Sequence, residues 1–198
     1  RMGAMVTQAQ VIADQGLAHA APLLKEAALQ IADPQVRYMG TVGGNVANGD
    51  PANDMPGLMQ CLDASFTLVG PNGTRAVNAR AFYEAAYMTA REDEEVLTEI
   101  SFDAHAAGYA YEKQKRKIGD YATAASAVLL SKDGGRCSSA SIAMTNLSDT
   151  PIFSEAASAA LIGTQLDDAA IKQAVSAALG DIDPTEDNRG PVAFKMHV

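Results

Sequence analysis

A glycine-rich stretch, Arg37 to Asp54, constrains the fold of this chain more than any other part of its sequence. Four of its eighteen residues are glycine, two of them adjacent (Gly43 and Gly44), with short polar side chains between them. Glycine permits positive φ and a close approach of the backbone to a ligand, and successive backbone N–H groups in such a turn can surround an anion. The stretch therefore predicts a structured loop whose backbone would suit an anion such as phosphate.

The stretch matches neither of two well-characterised phosphate motifs. Residues 40–44 read GTVGG rather than GxGxxG, and no Gly-Lys-Ser/Thr sequence follows. At its end, Asp54 precedes Met55 and Pro56, so its carboxylate can cap the next helix while Pro56 occupies the first turn. The residue types alone leave two interpretations open, an anion-binding nest and a plain connection between two elements.

Composition excludes several classes of function. The 198 residues are 47% hydrophobic, without an apolar run long enough to cross a bilayer, and can form one domain or two small ones. A net charge of −9 has the wrong sign for a nucleic-acid-binding protein, which favours a protein partner or a small molecule. Cys61 and Cys137 lie far apart and cannot by themselves bind an iron–sulfur cluster or a structural zinc ion, so we expect two buried thiols and no metal site.

Hydrophobic periodicity predicts a mixed first part of the chain. Pro22 is expected in the first turn of its helix, and the turn Gly70–Gly73 is expected to join two strands. We predict strands over residues 2–6, 65–69, 75–77 and 96–102, and helices over 8–14, 17–31, 79–89 and from residue 53 or 54 onward.

The second part is predicted as a sheet followed by helices. We predict strands over 109–114, 122–131 and 136–146, helices over 151–163 and 167–179, and mostly loop over 181–198. Residues 104–108 are small and polar enough to be a crossing between domains. This order of elements predicts two α+β subdomains side by side.

Two blocks of sequence resemble one known family. The first surrounds Thr-Val-Gly-Gly-Asn at 41–45, and the second runs from Tyr109 to Thr123 with Gly-Asp-Tyr at 119–121. In this order they resemble the FAD-binding medium (flavoprotein) subunit of the molybdenum hydroxylases, and particularly that of aerobic carbon monoxide dehydrogenase. The resemblance implies an α+β fold in which residues 1–103 form the second subdomain of a two-lobed FAD-binding domain of the PCMH or vanillyl-alcohol-oxidase type. Residues 104–198 are then expected to form an α+β C-terminal domain with a three-stranded antiparallel sheet and helices.

The resemblance also implies a site for FAD. The backbone N–H groups of Gly43, Gly44 and Asn45 are expected to surround the pyrophosphate, to which the Thr41 hydroxyl donates. The residues expected to bind the cofactor are Thr41, Val42, Gly43, Gly44, Asn45, Ala47, Asp54, Leu97, Lys113 and Tyr121.

Four of these residues lie outside the glycine-rich motif itself. Asp54 is expected to accept hydrogen bonds from ribityl or ribose hydroxyls, with helix capping as the alternative. Tyr121 is expected to lie against the flavin ring, although by residue type it is an ordinary strand aromatic. Lys113, in a basic run, is expected to reach the flavin, with solvation of a strand end or contact with a partner as alternatives for the run. Leu97 is expected on a strand near the flavin, and by residue type alone would be core.

The family implies a division of labour among subunits. A large subunit would hold the molybdenum cofactor and oxidise the substrate, a small subunit would hold two [2Fe-2S] clusters, and this chain would pass electrons through FAD to an external acceptor such as a quinone. We expect a dimer of heterotrimers in the cytoplasm or peripheral at the inner face of its membrane, without nucleic acid and without a transmembrane segment.

Two alternatives stay open, and one departure from the family is notable. The chain can serve an enzyme for an aldehyde or a purine, or it can be a non-redox assembly module that binds no flavin. The family's first glycine loop has no counterpart here, and the end of the chain stops short of the usual C-terminal helix. We therefore expect a fragment that lacks the N-terminal subdomain and binds FAD weakly on its own.

Overall fold

The computed structural model describes residues 1–105 and 108–198, which form two antiparallel four-stranded sheets with helices around them. The predicted crossing over 104–108 lies partly outside the described residues. The chain begins with β1 (Met2–Gly3), α1 (Gln8–Ala13), α2 (Gln15–Ala20), α3 (Pro22–Ala28), α4 (Pro34–Met39), α5 (Val42–Ala47) and α6 (Asp54–Cys61).

The N-terminal helices are short because local signals begin and end them within two turns. Thr7 begins α1 in a capping box with Gln10, whose side chain accepts the Thr7 N–H at 2.9 Å. The prediction of one helix over 17–31 is wrong, because Ala21 leaves the helical region (φ −149°, ψ 70°) before a proline. The predicted place of Pro22, in the first turn of its helix, is confirmed.

Asp33 and Pro34 begin α4, which the sequence prediction omitted. The Asp33 carboxylate accepts the Val36 N–H at 2.8 Å, and Pro34 occupies the first helical position, where its missing N–H costs nothing. The residues directly before the glycines are therefore helical rather than part of a loop.

The first sheet has the strand order β1-β6-β2-β3. The predicted hairpin is confirmed, with Gly70 opposite Gly73, and Phe66 and Leu68 on one of its faces are fully buried. The elements of this region are β2 (Ser65–Gly70), β3 (Gly73–Asn78), a 3-10 turn (Ala79–Ala81), β4 (Tyr83–Ala85), β5 (Met88–Thr89) and β6 (Val96–Ser101).

The predicted helix over 79–89 is wrong. Phe82 packs edge-on against Phe66 with ring centroids 4.8 Å apart, and the chain then forms the small β4–β5 hairpin. Tyr87 takes a positive φ of 61°, and its N–H donates to the Gly49 carbonyl at 2.8 Å. These contacts join residues distant in sequence, which local periodicity does not encode.

The second sheet has the order β10-β9-β8-β7. Its three long antiparallel strands confirm the predicted three-stranded sheet, and a two-residue strand, β10, adds to it where helix was predicted. A six-residue helix also occupies part of the predicted C-terminal loop. The elements are β7 (Gly108–Gln114), β8 (Ala124–Asp133), β9 (Arg136–Thr145), β10 (Ile152–Phe153), α7 (Glu155–Leu161), α8 (Asp168–Asp181) and α9 (Val192–His197).

Helix α6 lies at the centre of the molecule. All eight of its residues are buried, and one hydrophobic cluster joins it to side chains of both sheets, including Phe66 and Tyr111. A Cβ on Gly57 would lie 2.3 Å from the Thr145 hydroxyl, so this helix approaches β9 as closely as glycine permits. In the described residues, the helices are too short or too polar for any of them to cross a membrane.

Candidate functional site

The central part of the glycine-rich stretch, Val42–Ala47, is the short helix α5, where a loop was predicted. Thr41 precedes it, and the Thr41 hydroxyl accepts the Gly44 N–H at 3.0 Å. The Gly43 N–H donates to the Ala4 carbonyl at 2.9 Å, and the Asn45 N–H donates to the Thr41 carbonyl at 3.1 Å. Each of the three N–H groups that were expected to surround a pyrophosphate therefore has a partner within the chain.

The two adjacent glycines have different surroundings. A Cβ on Gly43 would lie 2.5 Å from the Ala4 Cβ, so this glycine permits backbone packing against the first strand. Gly44 is exposed, and a Cβ there would approach only the Thr41 hydroxyl, at 2.8 Å. Gly44 thus leaves a bare area of backbone at the surface.

Side-chain donors remain beside that bare backbone. The Thr41 hydroxyl accepts one hydrogen bond and still has its own hydrogen to donate. Asn45 uses its side-chain oxygen to accept the Met55 N–H at 3.2 Å, which leaves its NH₂ group as a donor. Val42 is buried and Ala47 is half-buried against the core, so these two position the helix and offer no polar group.

Asp54 and Lys113 form a buried ion pair. The Lys113 ammonium lies 2.9 Å from the Asp54 carboxylate, and the Lys113 and Asp54 side chains are 0% and 6% exposed, respectively. Tyr111 also donates its hydroxyl hydrogen to this carboxylate. Burial raises the pKa of the Asp54 carboxyl, against the opposing effects of Lys113 and Tyr111.

This pair changes the interpretation of two expected site residues. Asp54 is the first residue of α6 rather than its cap, and the Asn45 side chain accepts the N–H of the next residue. Because Asp54 and Lys113 satisfy each other below the surface, they hold β7 against α6. Leu97 is also core, 7% exposed and opposite Leu68 on the neighbouring strand.

Tyr121 is the exposed aromatic residue of the predicted set, with 47% of its surface accessible. The Arg189 guanidinium lies 5.1 Å from the centre of its ring, within the range of a cation–π contact. Arg189 is 3.2 Å from Asp187, which also pairs with Lys195 at 3.0 Å. The C-terminal residues thus fix the surroundings of Tyr121.

The sequence prediction missed several residues of the surface around Tyr121. Partial burial acts to raise the pKa of Asp187, but hydrogen bonds from Lys195, the Arg189 N–H and Asn146 outweigh it and hold the pKa well below its usual range. Tyr87 is 64% exposed, and the charge of Asp50 raises the pKa of its phenol. Only a dense charged run beside Pro and Gly, at 186–191, marked part of this surface in the sequence.

The described residues contain no group of three His, Cys, Asp or Glu side chains that could hold a metal ion. Both cysteines are free and buried, as predicted. The Cys61 thiol donates to the carbonyls of Ala127 and Ser141, and burial raises its pKa to about 12. It acts as a core side chain rather than a reactive thiol.

A model of the FAD-binding domain in molybdopterin dehydrogenase matches residues 1–102, and a model of the CO dehydrogenase flavoprotein C-terminal domain matches residues 109–198. The chain therefore belongs to this family, as its sequence resemblance predicted.

Within the family, similarity to carbon monoxide dehydrogenases is high. The chain is 53% identical to the carbon monoxide dehydrogenase medium chain of Afipia carboxidovorans, over 98% of this chain and 68% of that one. It superimposes on CO dehydrogenase from Oligotropha carboxidovorans with a TM-score of 0.96 at 52% identity, covering 98% of this chain and 68% of that chain. Quinoline 2-oxidoreductase from Pseudomonas putida 86 gives a TM-score of 0.91 at 30% identity, with the same coverage.

The residues present fit FAD in their chemistry. Thr41 and Asn45 supply donors suited to phosphate beside the bare backbone of Gly44, and exposed Tyr121 offers an aromatic face. The fit rests on side-chain donors rather than on the backbone N–H groups that the sequence suggested.

Proposed function

We propose that this chain is the FAD-carrying electron-transfer subunit of a molybdenum hydroxylase of the carbon monoxide dehydrogenase type. One observation carries this proposal: the structure brings together the two blocks of sequence that resemble the family. Asp54, at the end of the glycine-rich stretch, pairs with Lys113 of the second block at 2.9 Å. Asn146 joins the turn after α5 to the loop that bears Tyr121, since its N–H donates to the Pro51 carbonyl at 2.9 Å and its side chain donates to the Ala122 carbonyl at 2.8 Å. Identity of 53% to a carbon monoxide dehydrogenase medium chain supports the type of enzyme.

Each residue of the proposed site has a distinct task. Thr41 and Asn45 donate to phosphate oxygens, Gly44 lets the ligand approach the backbone, and Tyr121 bounds the ring. The buried pair of Asp54 and Lys113 fixes the positions of α6 and β7 beneath these groups. FAD, when bound, supplies the redox chemistry, and the chain binds it, orients it and sets the local charge.

The wider assembly belongs to the same proposal. Electrons would arrive from the iron–sulfur clusters of a small subunit and leave for an external acceptor such as a quinone, while a large molybdenum subunit oxidises the substrate. A dimer of heterotrimers and a position at the inner face of the cytoplasmic membrane are further parts of it. We also propose a domain boundary at residues 103/104, which the family matches to 1–102 and 109–198 support.

A flavin-free assembly module is the second candidate. The observation that favours it is that Gly43, Gly44 and Asn45 use their N–H groups within the chain, so α5 is complete without a ligand. An aldehyde- or purine-type enzyme is less favoured, because the glyceraldehyde and xanthine dehydrogenase chains are 31% and 27% identical, respectively.

Titration with FAD separates these candidates. We expect the wild type to bind FAD and Gly44→Arg to lose at least tenfold in affinity, because a long side chain covers the bare backbone. Gly180→Arg is the matched control, since Gly180 is an exposed helical glycine at which an added Cβ would have nothing within 4 Å, and it should bind like the wild type. Equal binding by both variants would reject the site, and no binding by the wild type would favour the assembly module.

A further inference from the structure

The guanidinium of Arg189 holds a buried hydrogen-bond donor beside Tyr121. The Arg189 side chain is 19% exposed, and its Nε atom is shielded from solvent. No atom of the described residues accepts a hydrogen bond from this Nε–H, whereas another nitrogen of the same group, Nη1, donates to Asp187 at 3.2 Å. Buried donors in proteins are nearly always paired, so this donor requires an explanation. A ligand with an acceptor atom would satisfy it.

The C-terminal residues hold this donor in place. Lys195, whose side chain is 2% exposed, donates to the Asp187 carboxylate at 3.0 Å, and the Asn146 side chain donates to the same oxygen at 3.3 Å. The other oxygen of Asp187 accepts the backbone N–H of Arg189 at 2.7 Å. Asp187 therefore fixes Arg189 through both its backbone and its side chain. A group held in this way loses little conformational entropy when a ligand binds.

The same contacts place Arg189 at the proposed flavin site. The Asn146 side chain that donates to Asp187 belongs to the residue that joins the turn after α5 to the loop of Tyr121. The guanidinium carbon of Arg189 lies 5.1 Å from the centre of the Tyr121 ring. A flavin ring that lies against Tyr121 would consequently lie within reach of the Arg189 donor.

The surroundings of Arg189 carry an excess of positive charge in a chain of net charge −9. Among the described residues, Asp187 is the one carboxylate paired with Arg189 or Lys195, so two cations share one negative charge. The pKa of the Tyr87 phenol responds to the charges of this surface, because Asp50 raises it and Arg189 opposes that effect. The Arg189 charge therefore acts on the exposed surface beside it.

The two redox forms of FAD differ in charge at the ring. The oxidised isoalloxazine is neutral, and two electrons with one proton convert it to a reduced form whose negative charge lies on N1 and the adjacent carbonyl. Hydrogen bonds and charges near these atoms are the means by which a protein tunes the cofactor. A guanidinium donor stabilises the anionic form more than the neutral form, since hydrogen bonds between charged groups are the stronger ones.

We propose that Arg189 binds the flavin ring directly, with its Nε–H donating to the N1 and carbonyl edge, and that it thereby favours reduced FAD over oxidised FAD. Asp187 and Lys195 are positioning residues that hold Arg189 for this contact. The proposal rests on the proposed function, because it requires a flavin against Tyr121. An ordered water molecule on the Nε–H is the competing occupant.

Anaerobic titrations of the purified chain with oxidised FAD and with dithionite-reduced FAD test the proposal. Arg189→Gln should weaken the binding of reduced FAD about tenfold more than that of oxidised FAD, because the positive charge is lost. For a two-electron couple this ratio corresponds to a midpoint potential that is lower by about 30 mV. Arg189→Lys keeps the charge and should change the ratio by less than about threefold. The ratio does not depend on the fraction of the chain that is folded.

A matched control lies elsewhere on the chain. Arg136 is an exposed arginine at the opposite end of β9 from Asn146, and it donates to the Gly163 carbonyl at 2.7 Å. Arg136→Gln should leave the ratio of the two affinities within about twofold of the wild type. A Tyr121→Leu background distinguishes direct contact from an effect through the aromatic ring, since Arg189→Gln should change the ratio there as well.

The outcomes separate this inference from the proposed function. Equal losses for oxidised and reduced FAD in Arg189→Gln would overturn the direct contact, assign the Nε–H to water and leave the flavin site intact. An effect of Arg189→Gln that disappears in the Tyr121→Leu background would also overturn it and leave Arg189 as a support for Tyr121. A wild type that binds neither form of FAD would reject the flavin site and this inference together.

Discussion

The buried centre around α6 and the exposed surface around α5 contain similar residue types, which have structural roles at the centre and are accessible to a ligand at the surface. At the centre, Gly57 lets a helix touch a strand, and Asp54 pairs with Lys113 out of contact with water. At the surface, Gly44 leaves backbone bare and Tyr121 is half exposed beside Arg189. Glycines and charged groups therefore indicate a ligand site only where the fold leaves them accessible.

Breaking the buried pair should have the largest effect on stability. Lys113→Met leaves the Asp54 carboxylate buried without its partner, which should cost about 3–5 kcal/mol in the free energy of unfolding. The loss should shrink as the pH falls, because the pKa of Asp54 is raised and the neutral acid is tolerated in the core. Chemical denaturation at pH 7 and pH 5 measures both effects.

A double variant sharpens this result. Asp54→Asn with Lys113→Met removes both charges and should recover most of the lost stability. A double variant as unstable as Lys113→Met alone would show that packing, rather than the isolated charge, accounts for the loss.

The two glycines of α5 should respond differently to a methyl group. Gly43→Ala forces a Cβ against Ala4 and should destabilise the chain by about 1–3 kcal/mol. Gly44→Ala needs only a small shift of the Thr41 hydroxyl, and alanine favours helix, so its unfolding free energy should stay within about 1 kcal/mol of wild type. Equal losses in thermal unfolding would contradict the difference in their surroundings.

The ion pair of Arg75 and Glu95 at the edge of the first sheet should make the stability of the chain depend on pH. The Arg75 guanidinium donates twice to Glu95, at 2.6 and 2.7 Å, and these bonds lower the pKa of Glu95 to about 2. Because the pKa is lower in the folded state, this stabilisation is complete above about pH 4.5 and is lost as the pH falls toward 2.

Glu95→Gln checks this pH dependence. Its melting temperature should be about 2 °C below that of the wild type at pH 7, and the gap should close between about pH 4.5 and 2. Glu94→Gln, an exposed neighbour, should show no such gap. A difference that stays constant down to pH 2 would refute the assigned pKa.

The smallest expected effect on stability is that of Arg189→Gln. Loss of this partly exposed cation–π contact should cost about 0.5–1 kcal/mol, whereas the affinity for FAD should fall a few-fold because Tyr121 is no longer held. Arg189→Lys should restore much of that affinity, since it keeps the charge. Affinity unchanged in both variants would show that Arg189 does not position Tyr121.

The sequence predicted most of the fold through local signals. The turn Gly70–Gly73, Pro22 at a helix start and the three long strands of the second sheet all follow from turn chemistry and periodicity. The prediction of a helix over 79–89 was wrong because Phe82 and Tyr87 contact residues that are distant in the sequence, Phe66 and Gly49, respectively.

The sequence named candidate residues for the site but could not give their accessibility. The spacing of the motif selected Gly43, yet only the fold shows that Ala4 occupies the space beside it. Likewise, no sequence pattern pairs Asp54 with Lys113, because 59 positions separate them. Arg189 was missed since its partner, Tyr121, is equally remote in the chain.

Hydrogen–deuterium exchange with and without FAD tests the contrast between surface and centre most directly. We expect FAD to slow exchange in peptides that cover residues 41–48 and 115–123, and to leave α6, already slow, unchanged. FAD that binds without protecting residues 41–48, or that protects α8 instead, would contradict the proposed site.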